Sequence, residues 1–221
     1  YKQSNKLSNK PQFTFFGKTK NVPSKNIPRG IYGWQKKILD KGVLIFFLNS
    51  ETKINFEKKT VDINLKDKKS RIVITGNESI IKNWTINLNA EEFLKEKNNL
   101  IDLQTNLTGC LTFLDTKVEN IDIYSKNLFC EDSVNFIRTS GTINKMEIYD
   151  SLSDGLDMDF SNLNVNKLKV FNSQNDCVDF SYGTYLIKEI EVKNCGDKAL
   201  SVGEKSIVKI NELNASYSNF G

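Results

Sequence analysis

The sequence predicts an all-β fold, a parallel β-solenoid with turns of about 22 residues, behind an irregular N-terminal arm or cap. Three observations predict it. The stretches "EDSVNFIRTSGTI" from Glu131, "SDGLDMDFSNLNV" from Ser153, "NDCVDFSYGTYLI" from Asn175 and "GDKALSVGEKSIV" from Gly196 align, so Val134, Leu156, Val178 and Leu200 recur every 22 residues. Further registers keep the same period: Ile143, Val165 and Ile187; Met146, Leu168 and Ile190; Ile148, Val170 and Val192. Within each unit apolar and polar residues alternate over three short segments, which is strand periodicity. Strands that pair with their equivalents one turn away, about 4.8 Å off, stack equivalent residues in columns, apolar inside and polar outside.

In chain order, residues 1–40 hold all three prolines (Pro11, Pro23, Pro28) and read as an arm or cap, with the β-helix occupying 41–221. "KGVLIFFLNSETKINFEKKTVDINL" reads as the strands that begin or cap the stack, and "RIVITGNESIIKNWTINLN" as a loose turn. "NAEEFLKEKNNL" reads as a short helix or loop leaving the coil, and "GCLTFLDTKVENIDIYSKN" as a turn with insertions. Regular turns run from about 105, with corners aligning Asp150, Asn172 and Asn194, where Asn takes left-handed backbone and bonds the backbone of the neighbouring turn. "IVKINELNASYSNFG" begins another turn and stops within it, so a cap, more turns or a partner is expected at that edge.

Composition narrows the function classes. The 221 residues are 38% hydrophobic and 26% charged, a folded-protein profile, and the most apolar stretch, "GVLIFFLNS", is strand-sized, so no membrane span is expected. The chain shown has no signal peptide, yet an exported or cell-surface location is the expectation that fits the function argued below. The absence of His removes the commonest general base, the His-dependent nucleophile systems and the most frequent zinc ligand. Residues 1–70 carry 16 Lys/Arg against 5 Asp/Glu, whereas residues 131–206 carry 8 against 13. The basic third lacks arginine clusters and interleaved aromatics, so it reads as solvated surface and not as a nucleic-acid interface.

Cys110 and Cys177 fall in one column of the alignment, and Cys130 and Cys195 at corners. Members of each pair lie about three turns, roughly 14 Å, apart, beyond the ~7 Å reach of a disulfide, so four free cysteines are expected.

With Leu156, Met158 and Phe160 inward, Asp157 and Asp159 share an outer face. Asp179 stacks on Asp157 from the next turn and Asn135 from the previous one. A second column, Asp132, Asp154, Asp176 and Asp197, marks the corner before this strand. Stacked carboxylates repel unless a calcium ion, a raised pKa, or hydrogen bonds from corner N–H groups, Asn135 and Lys198 compensate. The corner column fits backbone hydrogen bonding. Asp157, Asp159 and Asp179 divide between a structural role, calcium binding and catalysis. Glu204 and Lys205 flank the same face as acid/base candidates, and Arg138, Tyr182 and Lys198, with Asn135, as groups that hold an anionic sugar.

The segments "CED", "SDGLDMDFSN", "NDCVDFS" and "GDKALSVGEKS" resemble the right-handed parallel β-helix repeats of the pectate-lyase-like superfamily. More narrowly, they resemble bacterial β-helix proteins found beside spore-coat-protein-H-like kinase domains. The resemblance covers roughly 105–221 and implies the right-handed fold; activity it leaves open among lyases, hydrolases, epimerases, tailspikes and adhesins. Lyases of this superfamily combine calcium-binding Asp with an Arg or Lys base, and its polygalacturonases pair an Asp cluster with a His that this chain lacks. Two functions follow as expectations. One is binding, with lyase or epimerase processing, of an acidic polysaccharide or cell-envelope component along the Asp face, with calcium as cofactor. The other is a non-catalytic scaffold, adhesin or assembly component.

Overall fold

A computed structural model describes residues 12–15, 18–21, 34–76, 79–91 and 105–220. All of the described secondary structure is strand. β1 (Gln12–Phe15) and β2 (Lys18–Asn21) form an antiparallel hairpin that is a sheet of its own. The rest is a parallel β-solenoid of about six turns built from two sheets. The first sheet contains β3 (Gln35–Asp40), β4 (Val43–Leu48), β7 (Arg71–Thr75), β10 (Gly109–Leu114), β12 (Asp132–Ile137), β14 (Asp154–Asp159), β16 (Val178–Ser181) and β18 (Leu200–Val202). The second contains β5 (Ser50–Asn55), β6 (Thr60–Leu65), β9 (Thr85–Ala90), β11 (Lys117–Lys126), β13 (Ser140–Ser151), β15 (Asn162–Ser173), β17 (Thr184–Lys198) and β19 (Ile207–Phe220), with β8 (Ile80–Lys82) on β11. The expected helix or loop in "NAEEFLKEKNNL" and most of the expected N-terminal arm lie outside the described residues.

The repeat register is the pairing register. Val134, Leu156, Val178 and Leu200 pair in succession, as do Ile143, Val165 and Ile187. The expected second and third segments of each turn run on as one strand that skips a pairing at its bend, between Ile143 and Lys145 in β13. Interior columns are apolar but for Ser125, which sits between Leu88 and Ile148: Phe113 lies flat on Phe136 (4.6 Å between centroids, 6° between planes), and Met158 and Phe180 continue that column. Each buried Val, Leu, Ile or Phe contributes roughly 1.5–3 kcal/mol, and stacking them turn on turn gives one continuous core.

Two antiparallel hairpins, β3–β4 and β5–β6, close the N-terminal end of the coil. β3 is the edge of the first sheet, and its exposed Lys36 and Lys37 discourage further pairing there.

Two corner ladders fix the turns. Asp150, Asn172 and Asn194 take the expected left-handed backbone (φ 59°, 63° and 56°). Their side chains bond one another rather than the backbone: Asn172 Nδ2 donates to Asp150 Oδ1 (2.8 Å) and Asn194 Nδ2 to Asn172 Oδ1 (2.7 Å). The second ladder carries no Asn signal. Asp115, Arg138, Phe160, Tyr182 and Lys205 all have φ near +50°. Left-handed backbone costs such residues roughly 1–2 kcal/mol. The conformation lets the N–H groups of Asp115, Arg138, Phe160 and Tyr182 each donate to a carbonyl of the next turn, at 2.9–3.0 Å.

The cysteines correct the sequence reading. Cys110–Cys130 and Cys177–Cys195 are disulfides, each with Cα atoms 5.3 Å apart. Equivalent positions three turns apart are indeed too distant, but the bridges run within the coil: 18 to 20 residues carry the chain almost once around and return it to the same corner. Of the two intervening turns, the first shows the same rung in another chemistry, with the aligned Ser133 and Ser151 hydroxyls hydrogen-bonded at 2.7 Å, and the second carries Gly155 and Ser173 there.

Candidate functional site: the acidic row on the first sheet

Strand alternation sends one column of the first sheet outward, in the order Thr112, Asn135, Asp157, Asp179 and Ser201. A parallel column runs Leu114, Ile137, Asp159 and Ser181. The expected juxtaposition is present: Asp157 pairs with Asn135 on one side and with Asp179 on the other.

The N-terminal part of this outer face is covered. Phe46, Val73 and Leu114 point outward yet are buried with Trp34 and Leu107 in a second apolar cluster. The signal lay in "LIFFL", "RIVIT" and "GCLTFL", which are apolar without alternation, as strands buried on both faces are. The segment holding Leu107 also reaches the polar rows, because Thr108 Oγ1 lies 3.3 Å from Asn135 Nδ2. Asn135 is only 1% exposed, and its amide also donates to Asp132 Oδ2 (3.0 Å) and Asp157 Oδ2 (2.9 Å). Asn135 Oδ1, Thr112 Oγ1 and Asp179 Oδ1 are buried without a partner.

Burial of the row sets its electrostatics. Burial pushes Asp157 up to about 10, reinforced by the charges of Asp132, Asp159 and Asp179. Its carboxyl therefore favours the protonated form, with Asp159 two residues along on the same outer face. Burial raises Asp159 as well, while hydrogen bonds and the Arg138 charge pull it back. Asp179 is raised by burial, and Asp132 is pushed up to about 7 for the same reason, with Asp154 and Glu131 adding to it.

The corner column is bonded to the next turn. Asp154 Oδ1 accepts from Asp176 N (2.9 Å) and Asn175 Nδ2 (2.7 Å), and Asp176 Oδ1 from Lys198 N (2.9 Å). Lys198 Nζ bridges Asp176 (3.2 Å) and Asp197 (2.8 Å).

The remaining candidates are engaged elsewhere. Arg138 grips Asp115 through two bonds of 2.7 and 3.1 Å. Tyr182 lies flat on Phe160 (4.7 Å, 7°) at the left-handed corner. Lys205 occupies an exposed corner turn that lengthens the last repeat to 23 residues, as the Thr184 to Ile207 pairing shows. Glu204 reaches Ser181 at 3.4 Å, beside the outer column.

Among the described residues no group of three or more His, Cys, Asp or Glu is placed to hold a metal ion. The donor set agrees. Asp157 Oδ2 is already taken up by the Asn135 amide at 2.9 Å, and Asp157, Asp159 and Asp179 are not grouped closely enough to form such a cluster. No helix among the described residues is long and apolar enough to cross a membrane. Compared with protein-family models, curated proteins and solved structures, the chain matches none.

Proposed function

We propose that this protein is a non-catalytic β-solenoid scaffold, an exported, disulfide-braced rod whose repeats present long rigid surfaces. The observation that carries the reading is how the acidic row is used. Its repulsion is relieved by the Asn135 amide, by backbone N–H groups of the next turn and by carboxyls whose pKa burial raises, so the row is satisfied within the coil. The basic candidates Arg138 and Lys198 are held by Asp115 and by Asp176 and Asp197. Two disulfides among four cysteines fit an oxidising compartment, which supports export. The resemblance to pectate-lyase-like β-helices is compatible with this role, since that superfamily includes surface adhesins.

A second reading is supported by one observation. Asp157 carrying a proton beside Asp159 is an acid–base carboxyl pair, which a polysaccharide-processing enzyme would need. One experiment separates the two. Polygalacturonate and alginate, with and without calcium, are incubated with the protein and with an Asp157→Asn/Asp179→Asn variant, and new double bonds and reducing ends are assayed. The scaffold reading expects neither product from either protein; cleavage lost in the double variant overturns it.

A further inference from the structure

The outer face of the second sheet holds a groove of different character. The register sets two outward columns side by side: Lys53, Asp62, Asn87 and Tyr124 in one, and Glu51, Asn64, Asn89, Lys126 and Tyr149 in the other. These residues line a cavity of about 450 Å³. That volume falls within the roughly 300–1,000 Å³ typical of small-molecule sites.

The lining states what would fit. Its formal charges cancel, Glu51 and Asp62 against Lys53 and Lys126, and Glu51 is already paired with Lys53 (3.1 Å) and Lys66 (3.2 Å). A net-charged ligand gains little there. Asn87 Nδ2 is committed to Asp62 Oδ1 (2.7 Å), whereas the Asn64 and Asn89 amides line the groove beside that pair. Amide groups offer donors and acceptors together, which suits hydroxyls that do the same.

Two half-buried tyrosines complete the lining and are held in place. Lys145 sits 5.2 Å from the Tyr124 ring centroid, and Tyr149 packs edge-on against Phe171 at 5.6 Å. Such rings give rigid apolar surface with a polar tip, at little cost in lost freedom. An extended peptide would seek an unpaired strand edge, but β6, β9 and β11 lie inside the sheet, with their backbones paired on both sides.

We infer that this groove binds a neutral oligosaccharide: hydroxyls meet Asn64, Asn89 and the Asp62–Asn87 pair, and C–H faces lie against Tyr124 and Tyr149. The site goes beyond the scaffold role and does not depend on it, because it uses only second-sheet residues away from the acidic row.

The test is titration calorimetry of the full chain with cellohexaose, xylohexaose, mannohexaose and chitohexaose. Saturable one-site binding of at least one is expected. Tyr124→Ala and Asn64→Ala should each weaken it about tenfold, the loss expected when one aromatic contact or one hydrogen bond disappears. Tyr124→Phe retains the ring and most of the affinity, and circular dichroism verifies that each variant is folded. Asp157→Asn/Asp179→Asn should bind as the parent does. The inference is overturned by absence of binding to all four sugars, by affinity unchanged in both alanine variants, or by affinity that follows the acidic row instead.

Discussion

Replacing Cys177 and Cys195 by serine tests the corner staple quantitatively. The bridge joins residues 18 apart, and closing a loop of that length removes about 11 cal/mol/K of unfolded-chain entropy, or about 3 kcal/mol at 25 °C. The protein already contains the replacement. Ser133 and Ser151 occupy the aligned rung as a 2.7 Å hydrogen-bonded pair, so two serines fit the corner and recover about 1 kcal/mol. The Cys177→Ser/Cys195→Ser variant should keep its β-sheet circular dichroism and lose about 2 kcal/mol, read from equilibrium urea unfolding of the oxidised proteins. Unchanged stability would mean that the bridge does not constrain the unfolded chain. A variant that fails to fold would mean that the rung is not interchangeable, and the corner geometry argued above would be wrong.

Other perturbations follow from the same contacts. Asp132 and Asp154 are raised to about 7 and about 6, mainly by burial, so their contribution to stability is full below about pH 4 and is lost as pH rises through 6 to 7. The urea midpoint should therefore fall between pH 4 and pH 8, and Asp132→Asn should flatten that fall; a midpoint rising over this range would refute it. Gly141→Ala should cost more than about 2 kcal/mol, since Gly141 has φ 124° and an added Cβ would lie 1.9 Å from the Val118 carbonyl oxygen. Asn172→Ala removes one side-chain rung on each side and puts Ala in left-handed backbone, for a loss of about 2 kcal/mol by chemical denaturation. Calcium and EDTA should leave the thermal midpoint unchanged, because binding to the native state alone would raise it.

The period of 22 residues by itself determines the architecture. Alternation allows only one set of side chains inward, and a constant repeat makes Leu156 the neighbour of Val134 and Val178. The columns of Asp157 and Asp179, the Asn corner and the backbone-bonding corner carboxylates follow from that register. Their protonation does not. It depends on how deeply the outer face is buried, to which the segment holding Leu107 and Thr108 contributes beside Asn135, and nothing in the repeat specifies where a segment outside the coil packs.

Tertiary structure also decided the disulfides and the second-sheet groove. Column logic compares residues one period apart, whereas Cys177 and Cys195 meet because the coil nearly closes on itself, a proximity set by corner angles that have no sequence period. The groove joins Asn64 to Tyr124 and Tyr149 across the less regular early turns, where insertions hide the alignment and only hydrogen-bonded pairing fixes which side chains become neighbours.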